Sequence, residues 1–323
     1  MPHAFRVHKT GGPEVLSWED VTVGEPGRGE VRLRQTAIGL NFIDTYQRSG
    51  LYPLPVPFIP GSEGAGVIEA IGPEVTGVKI GDRVAYCMLP GAYAETRLAP
   101  AKRLILLPAH ISDQQAAAMM LKGLTAHYLI RRSYAVKPGD TILIHAAAGG
   151  VGLILCQWAK HLGATVIGTV GSDEKASLAK ANGCDHPIVY TREDFVARVN
   201  EITGGKKLPV VYDSVGKDTF LKSLDCLRPL GFMVSFGQSS GPIGPFDVGL
   251  LGAKGSLYLT RQTLYTHTAS KEDLLAAAKE LFEIVASAMV KINIHQTYTL
   301  KEATQAHRDL ENRQTTGSTI FTV

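Results

Sequence analysis

The sequence predicts an α/β protein of two parts, a β-rich N-terminal domain followed by a doubly wound parallel sheet. Three observations carry this. Short strand-like runs broken by Gly/Pro turns fill the first 120 or so residues, among them Gly11-Gly12-Pro13, Pro26-Gly27, Gly72-Pro73, Gly81-Asp82 and Pro90-Gly91. From Thr141 to about Thr260, strand-like and helix-like runs alternate, the pattern of a parallel sheet. Between the first of those strands and its helix stands a glycine turn, Ala147-Ala148-Gly149-Gly150-Val151-Gly152.

In the first part, residues 15–23 and 30–38 read as strands. The second alternates Val31, Leu33, Gln35 and Ala37 against Glu30, Arg32, Arg34 and Thr36, the period of a half-buried strand. Residues 41–49 read as a short helix, and Ser112-Asp113-Gln114-Gln115 is a capping box opening a helix that runs through Leu121.

In the second part, residues 141–145 form an apolar strand behind the turn signal Lys137-Pro138-Gly139-Asp140. Val151, Ile154, Leu155, Trp158, Ala159 and Leu162 then repeat at helical spacing, and Gly163 stands where a helix C-terminal cap belongs. Strands are expected over 141–145, 165–168, 187–190, 210–213, 232–237 and 256–260, with helices over 151–162, 174–182, 193–203, 219–227 and 247–252. The free N–H groups of the first helix would point over the glycine turn, a site that favours phosphate. Against the dinucleotide fingerprint G-x-G-x-x-G, Ala147 replaces the first glycine. Gly149 lets backbone approach a pyrophosphate, and Gly152 permits close helix–strand packing. Ligand is expected over Gly149, Gly150 and Val151, at the carboxyl ends of the strands.

NAD-binding sheets of this kind end the second strand on a carboxylate that takes the ribose hydroxyls. Here the aligned residue is Val170, followed by Gly171, Ser172 and Lys175. A hydroxyl and an ammonium without a repelling carboxylate suit a 2′-phosphate, so the sequence predicts NADPH/NADP+. Asp173 and Glu174 suit the start of the next helix, where negative charge is favoured. Tyr190 ends the third strand and can close over the same phosphate. Residues 270–289 form an amphipathic helix behind Ser270-Lys271-Glu272-Asp273, a capping box with Asp in place of Glu; 300–311 is a further helix and 317–323 a terminal strand.

Composition excludes several classes. The 323 residues are 45% hydrophobic and 20% charged with net charge +3, and no dense basic run supports nucleic-acid binding as a main role. No apolar run approaches the ~18 residues that span a bilayer, no signal-peptide core opens the chain, and the expected location is cytoplasmic. Cys87, Cys156, Cys184 and Cys226 lie far apart with no C-x-x-C, so neither a disulfide framework nor a structural zinc site is suggested.

A resemblance adds to this. Gly39-Leu40-Asn41-Phe42-Ile43-Asp44, Pro60-Gly61-Ser62-Glu63-Gly64-Ala65-Gly66 and Val78-Lys79-Ile80-Gly81-Asp82-Arg83-Val84 are similar, in that order, to segments of the medium-chain dehydrogenases/reductases. Zinc members carry a cysteine ligand at the position of Asn41 and a histidine ligand at that of Ser62; an amide and a hydroxyl are poor Zn²⁺ ligands beside these, and the four-cysteine lobe is missing too. The resemblance is therefore to a zinc-free branch. Gly139-Asp140-x-x-Leu143-x-x-x-Ala147-Ala148-Gly149-Gly150-x-Gly152-x-x-x-x-Gln157-x-x-Lys160 resembles the signature of the quinone oxidoreductase (zeta-crystallin-like) branch. Asn41 to Tyr46, Leu121 to Ala126, Val211 to Gly216 and Ser235 to Ser240 look most like bacterial NADPH:quinone reductases.

The resemblance implies a GroES-like catalytic domain over residues 1–123, completed by 265–323, and an NADP-binding Rossmann domain over 124–264, with nicotinamide and substrate in the cleft between them. By position, Asn41, Tyr46 and Tyr128 would lie near the nicotinamide, and Gly149, Gly150, Val151 and Gly152 under the pyrophosphate. Gly171, Ser172, Lys175 and Tyr190 would surround the 2′-phosphate. Ser214, Phe236, Gly237, Gln238 and Ser239 would line the cofactor cleft, and Arg313 would return to it from the far end of the chain. The implied activity is reduction of small quinones by NADPH, by one electron or by hydride. The alternatives are reduction of α,β-unsaturated carbonyls and a structural or RNA-binding NADPH protein.

No acid–base triad is evident. Tyr46, Tyr52 and Lys122 are the ionisable cleft candidates, and catalysis by proximity is expected. Residues 256–260 read as an apolar edge strand that needs covering, which predicts a homodimer. With Asn41 and Ser62 at the ligand positions, elemental analysis of the purified protein is expected to find less than stoichiometric zinc; one zinc per chain would overturn that reading.

Overall fold

The computed structural model describes residues 1–323. The chain divides into two compact units. The first holds Met1–Leu124, Thr268–Ala286 and Ile292–Val323; the second holds Thr125–His267 and Ser287–Lys291.

In chain order the elements begin with β1 (His3–Val7), β2 (Leu16–Asp20), β3 (Glu30–Gly39), α1 (Phe42–Ser49), β4 (Glu63–Ile71), β5 (Arg83–Cys87), β6 (Thr96–Pro100), β7 (Ile105–Leu106) and α2 (Asp113–Tyr128). There follow β8 (Thr141–Ile144), α3 (Gly150–His161), β9 (Thr165–Val170), α4 (Asp173–Ala181), β10 (His186–Val189), α5 (Phe195–Thr203), β11 (Leu208–Asp213) and α6 (Phe220–Ser223). The chain ends with β12 (Leu227–Ser235), α7 (Gly249–Ala253), β13 (Tyr258–Arg261), α8 (Leu264–His267), α9 (Lys271–Ala286), β14 (Ile294–Thr299), α10 (Ala303–Glu311) and β15 (Ser318–Thr322).

The first unit is built on a seven-stranded sheet of order β14-β15-β3-β4-β5-β7, with β6 also on β3, beside the β1–β2 hairpin. The alternation in β3 does what it predicts. Val31, Leu33, Gln35 and Ala37 are buried while Arg34 is exposed. Burying Val31 and Leu33 contributes roughly 1.5–3 kcal/mol each. Gln35 survives inside because its Nε2 donates to Ala92 O (2.6 Å) and Ala94 O (2.5 Å). The C-terminal strand β15 returns antiparallel to β3, setting Ile320 opposite Gly39 and Phe321 opposite Ile38. Strand β14, unforeseen in the sequence because its residues are half exposed, pairs parallel with β15. Capping of α2 is as expected: Gln115 N donates to Ser112 Oγ and Ser112 N to Gln115 Oε1, both 3.1 Å. The helix continues to Tyr128, past the expected Leu121, because nothing breaks it; Gly123 is kept inside by packing against Leu281.

The second unit is a six-stranded parallel sheet of order β10-β9-β8-β11-β12-β13. Numbered within the unit this is 3-2-1-4-5-6, a doubly wound sheet whose order reverses between β8 and β11. Ile142, Leu143 and Ile144 of β8 are fully buried, as a central parallel strand requires. One strand and one helix expectation shift. Strand β12 starts at Leu227 instead of 232, since Leu230 takes φ 61 and the ladder to β11 jumps register; Pro229-Leu230-Gly231, between the expected helix and strand, is a bulge within the strand. Residues 219–227 form only one α-turn before tightening into a 3₁₀ turn at Leu224–Cys226. Strand β13 lies at the sheet edge.

The turn between β8 and α3 is tightly packed. A Cβ on Gly152 would stand 2.7 Å from Ala147 O and closer still to Ala146 O, and Ala146 itself takes φ 53. Gly152→Ala is expected to destabilise the protein by about 1–3 kcal/mol through overpacking. A thermal melt reads this, and a melting temperature equal to the parent's would show that the turn relaxes freely.

Candidate active site

In the second unit, α3 starts at Gly150 directly after the turn at the end of β8, beside the point where strand order reverses. The N–H groups of Gly150, Val151 and Gly152, in the first turn of α3, have no intrahelical acceptor, so they present a partial positive charge over the carboxyl ends of the strands. The fit to a diphosphate rests on this cradle. A Cβ on Gly149 would lie 3.1 Å from Ala146 O, a tight contact within the same turn.

The end of β9 carries no carboxylate. Val170 is 2% exposed. Ser172 caps α4, its Oγ accepting from Lys175 N at 3.3 Å. Tyr190, just past β10, is exposed and lies over Gly171, where a Cβ would be 3.1 Å from its hydroxyl. Ser172, Lys175, Gly171 and Tyr190 are thus gathered at one end of the β9 and β10 strands. Asp173 faces solvent as expected. It also pairs through both oxygens with Arg192 (2.5 and 2.7 Å), a cation 19 residues away that the sequence reading missed.

The loops after β11 and β12 are zipped together. Asp213, fully buried, accepts from Val215 N (2.7 Å), Gly216 N (3.1 Å) and Thr219 Oγ1 (2.8 Å). Phe236 N donates to Asp213 O (2.8 Å) and Ser239 N to Ser214 O (3.1 Å). A Cβ on Gly237 would sit 2.6 Å from Ser214 O. Ser214, Phe236, Gly237, Gln238 and Ser239 therefore stand together at the carboxyl ends of β11 and β12. Tyr128 is 2% exposed and stacks on His267 with 4.4 Å between centroids; burial pushes its hydroxyl pKa up.

In the first unit, Asn41 caps α1 and is 6% exposed. Its Nδ2 donates to Glu63 Oε1 (2.9 Å), and its backbone N to Asp44 Oδ2 (2.9 Å). Lys122 Nζ reaches the same Glu63 oxygen at 2.7 Å. Asn41 and Lys122, 81 residues apart in sequence, thus meet on one carboxylate. Tyr46 and Tyr52 meet edge to face at 5.2 Å. Arg313 is exposed, at φ 60 just past α10.

Sequence reasoning missed the buried network behind these residues. Ser62 Oγ donates to Asp44 Oδ1 (2.8 Å), Tyr93 Oη lies 3.3 Å from Asp44 Oδ2, and His307 Nε2 lies 2.9 Å from Tyr93 Oη. Arg48 Nη1 is 3.0 Å from His307 Nδ1, and Arg48 pairs through both nitrogens with Glu311 (2.7 and 3.0 Å). Arginine only donates, so His307 Nδ1 accepts and its Nε2 carries the proton. Tyr93 then accepts from His307 and donates to Asp44. Burial, then the Arg48 charge, pull the His307 pKa down to about 3 and keep the ring neutral. The only signal in the sequence was charged residues inside apolar stretches, Asp44 and Glu63, both fully buried. A groove of about 440 Å³ between α9 and the β7 region holds none of the predicted residues.

Comparison with known proteins follows this geometry. The zinc-binding dehydrogenase family profile matches residues 150–283, and the alcohol dehydrogenase GroES-like domain profile matches 27–109. A quinone oxidoreductase of Pseudomonas aeruginosa is 55% identical over 96% of each chain, and a 2-haloacrylate reductase of a Burkholderia species is 49% identical over 99% of each. The crystal structure of Escherichia coli quinone oxidoreductase complexed with NADPH superposes with a TM-score of 0.98 at 49% identity, covering 99% of this chain and 100% of that one. This chain belongs to the quinone oxidoreductase family of the medium-chain dehydrogenases/reductases. The first unit is its GroES-like part and the second its Rossmann-like part.

Burial raises the Asp44 pKa to about 7, against the hydrogen bonds from Ser62 and Asn41 that favour the anion. A carboxyl whose folded pKa exceeds its unfolded value stabilises the fold most below the unfolded pKa, near 4, and loses that contribution as pH rises to 7. The slope is at most about 1.4 kcal/mol per pH unit. Urea denaturation of the parent is expected to show this decline between pH 4 and 7 relative to Asp44→Asn; parallel curves for the two proteins would disprove it.

Proposed function

We propose that this protein is an NADPH-dependent quinone oxidoreductase acting on small quinones. The observation that carries the reading is the combination of a free helix N-terminus at the sheet's switch point with a β9 end that offers Ser172 and Lys175 and no carboxylate. The relatives named quinone oxidoreductase, one of them crystallised with NADPH, support it.

In this reading Gly149, Gly150, Val151 and Gly152 hold the pyrophosphate, and Gly171, Ser172, Lys175 and Tyr190 the 2′-phosphate. Ser214, Phe236, Gly237, Gln238, Ser239 and Arg313 border the cofactor, while Asn41, Tyr46 and Tyr128 adjoin the nicotinamide. NADPH, when bound, supplies the reducing equivalents. The chain's own part is to bind, orient and exclude water, which brings two redox partners to reacting distance. Lys122 is committed to Glu63, so its ammonium acts as a fixed, neutralised group. The amide of Asn41 and the hydroxyl of Ser62 stand where zinc members hold metal, and both are tied into carboxylates of the chain itself.

The 2-haloacrylate reductase among the relatives favours a second reading, reduction of α,β-unsaturated carbonyls in the same site. We further propose that the chain is cytoplasmic and homodimeric. No helix is long and apolar enough to cross a membrane. The edge strand β13 leaves Tyr258 53% exposed, and a second copy would cover it.

Steady-state rates against 1,4-benzoquinone and a series of enones decide between the two acceptors. NADPH is expected to exceed NADH at least tenfold in kcat/KM, and Lys175→Ala to remove most of that preference. Equal rates with both cofactors in the parent would refute the reading of Ser172 and Lys175.

A further inference from the structure

Glu63 is completely buried at the start of β4 and is used on every side. Its Oε1 accepts from Asn41 Nδ2 (2.9 Å) and Lys122 Nζ (2.7 Å), and its Oε2 from Leu121 N (2.6 Å). Gly39 makes room for it: a Cβ there would stand 2.5 Å from the Glu63 Cδ. The carboxylate also decides how Asn41 points. Asn41 Nδ2 has two neighbours, Glu63 Oε1 and Gly39 O (3.4 Å), and both can only accept. The amide nitrogen must face them, so the amide oxygen lies on the other side, where the capping box of α1 sets it against the Asp44 N–H.

We propose that Glu63 is a positioning residue that fixes the orientation of the Asn41 carboxamide on which binding of the nicotinamide end of the cofactor depends. The proposal rests on the reading above that Asn41 adjoins the nicotinamide. Lys122 has a different part: its ammonium pairs with the Glu63 carboxylate at 2.7 Å in the interior. A neutral amide in place of Glu63 would turn one of its own N–H donors toward the N–H donors of Asn41, Lys122 or Leu121, and the Asn41 amide would lose its fixed orientation.

The test measures two probes by fluorescence and calorimetric titration: NADPH, which reaches both ends of the site, and 2′,5′-ADP, which reaches only the phosphate end. Glu63→Gln alone strands the Lys122 ammonium, so it is combined with Lys122→Met. Glu63→Asp is the second variant; it keeps the charge for Lys122 but is one methylene too short to hold Asn41 as well. Asn41→Ala and the triple variant Asn41→Ala/Glu63→Gln/Lys122→Met complete the set. Asn41→Ala, Glu63→Asp and the double variant are each expected to weaken NADPH about tenfold and leave 2′,5′-ADP within twofold of the parent. The triple variant is expected to be no weaker than Asn41→Ala. Parent-like NADPH affinity in both Glu63 variants, with Asn41→Ala weakened, would overturn the positioning role alone. A hundredfold, additive loss in the triple variant would show that Glu63 or Lys122 acts independently of Asn41, and would overturn it too. Parent-like affinity in Asn41→Ala would remove the reading of Asn41 itself, and the proposal with it. Equal weakening of both probes would mark general damage to the fold and also count against it.

Discussion

The first unit depends on a buried ion pair. Glu63 on β4 takes Lys122 and Leu121 from α2 and Asn41 from the start of α1. Two charges out of water gain little over an apolar pair of the same volume, and losing one partner costs about 3–5 kcal/mol. Such a pair is a poor source of net stability and an effective source of specificity. It admits one arrangement of three elements, because any other leaves a charge unpaired. Asp44 ties the other side of α1 by hydrogen bonds alone, from Asn41 N and Ser62 Oγ.

The second unit solves a different problem by different means. Its sheet is mostly apolar at the centre, and precision comes from close contacts that only small residues permit. Gly152 against Ala147 O, Gly168 between Ala147 and Cys184, and Gly237 against Ser214 O are three such contacts. Polar groups inside are few, and apart from Ser235 Oγ and Arg198 Nε they are hydrogen-bonded. His145 lies 2.8 Å from both Thr169 Oγ1 and Ser223 Oγ, and Ser223 spends its own proton on Thr219 O (2.8 Å). His145 Nε2 therefore donates to Ser223, and Thr169 donates to Nδ1. This is also why β9 runs on to Val170: Thr169 is held inside by the histidine.

How much of this was legible follows from the range of each interaction. The doubly wound sheet was, because β8 to α3 and the alternation after it are local patterns of apolar spacing and turn residues. The ends of β12 and of α6 were not, since Pro229-Leu230-Gly231 has the composition of a turn and becomes a bulge only when β11 lies alongside. Among the candidate site residues, the glycines and the Ser172–Lys175 pair were readable from their order along the chain. Lys122 was found as an ionisable residue, but its partner was not. Glu63 meets Lys122 only when α2 packs beside β4, and Tyr93, His307 and Arg48 come together only when α10 packs on the first unit's sheet and α1. A single sequence carries no mark of that packing beyond charged residues in apolar surroundings.

The direction of the hydrogen bonds in that network has a consequence for proton traffic. From Arg48, which also donates outward to Glu311, the row runs inward through His307 and Tyr93 to Asp44, with each of those donors facing Asp44. It has the outline of a proton wire and cannot work as one. A hop through His307 would need Arg48 to surrender a proton, which a guanidinium does not do at any ordinary pH. The arginine acts as a diode stuck in the off position. With Asn41 N and Tyr93 Oη both donating to Oδ2, and Ser62 Oγ donating to Oδ1, a proton on Asp44 Oδ1 requires the Ser62 hydroxyl to turn and accept it.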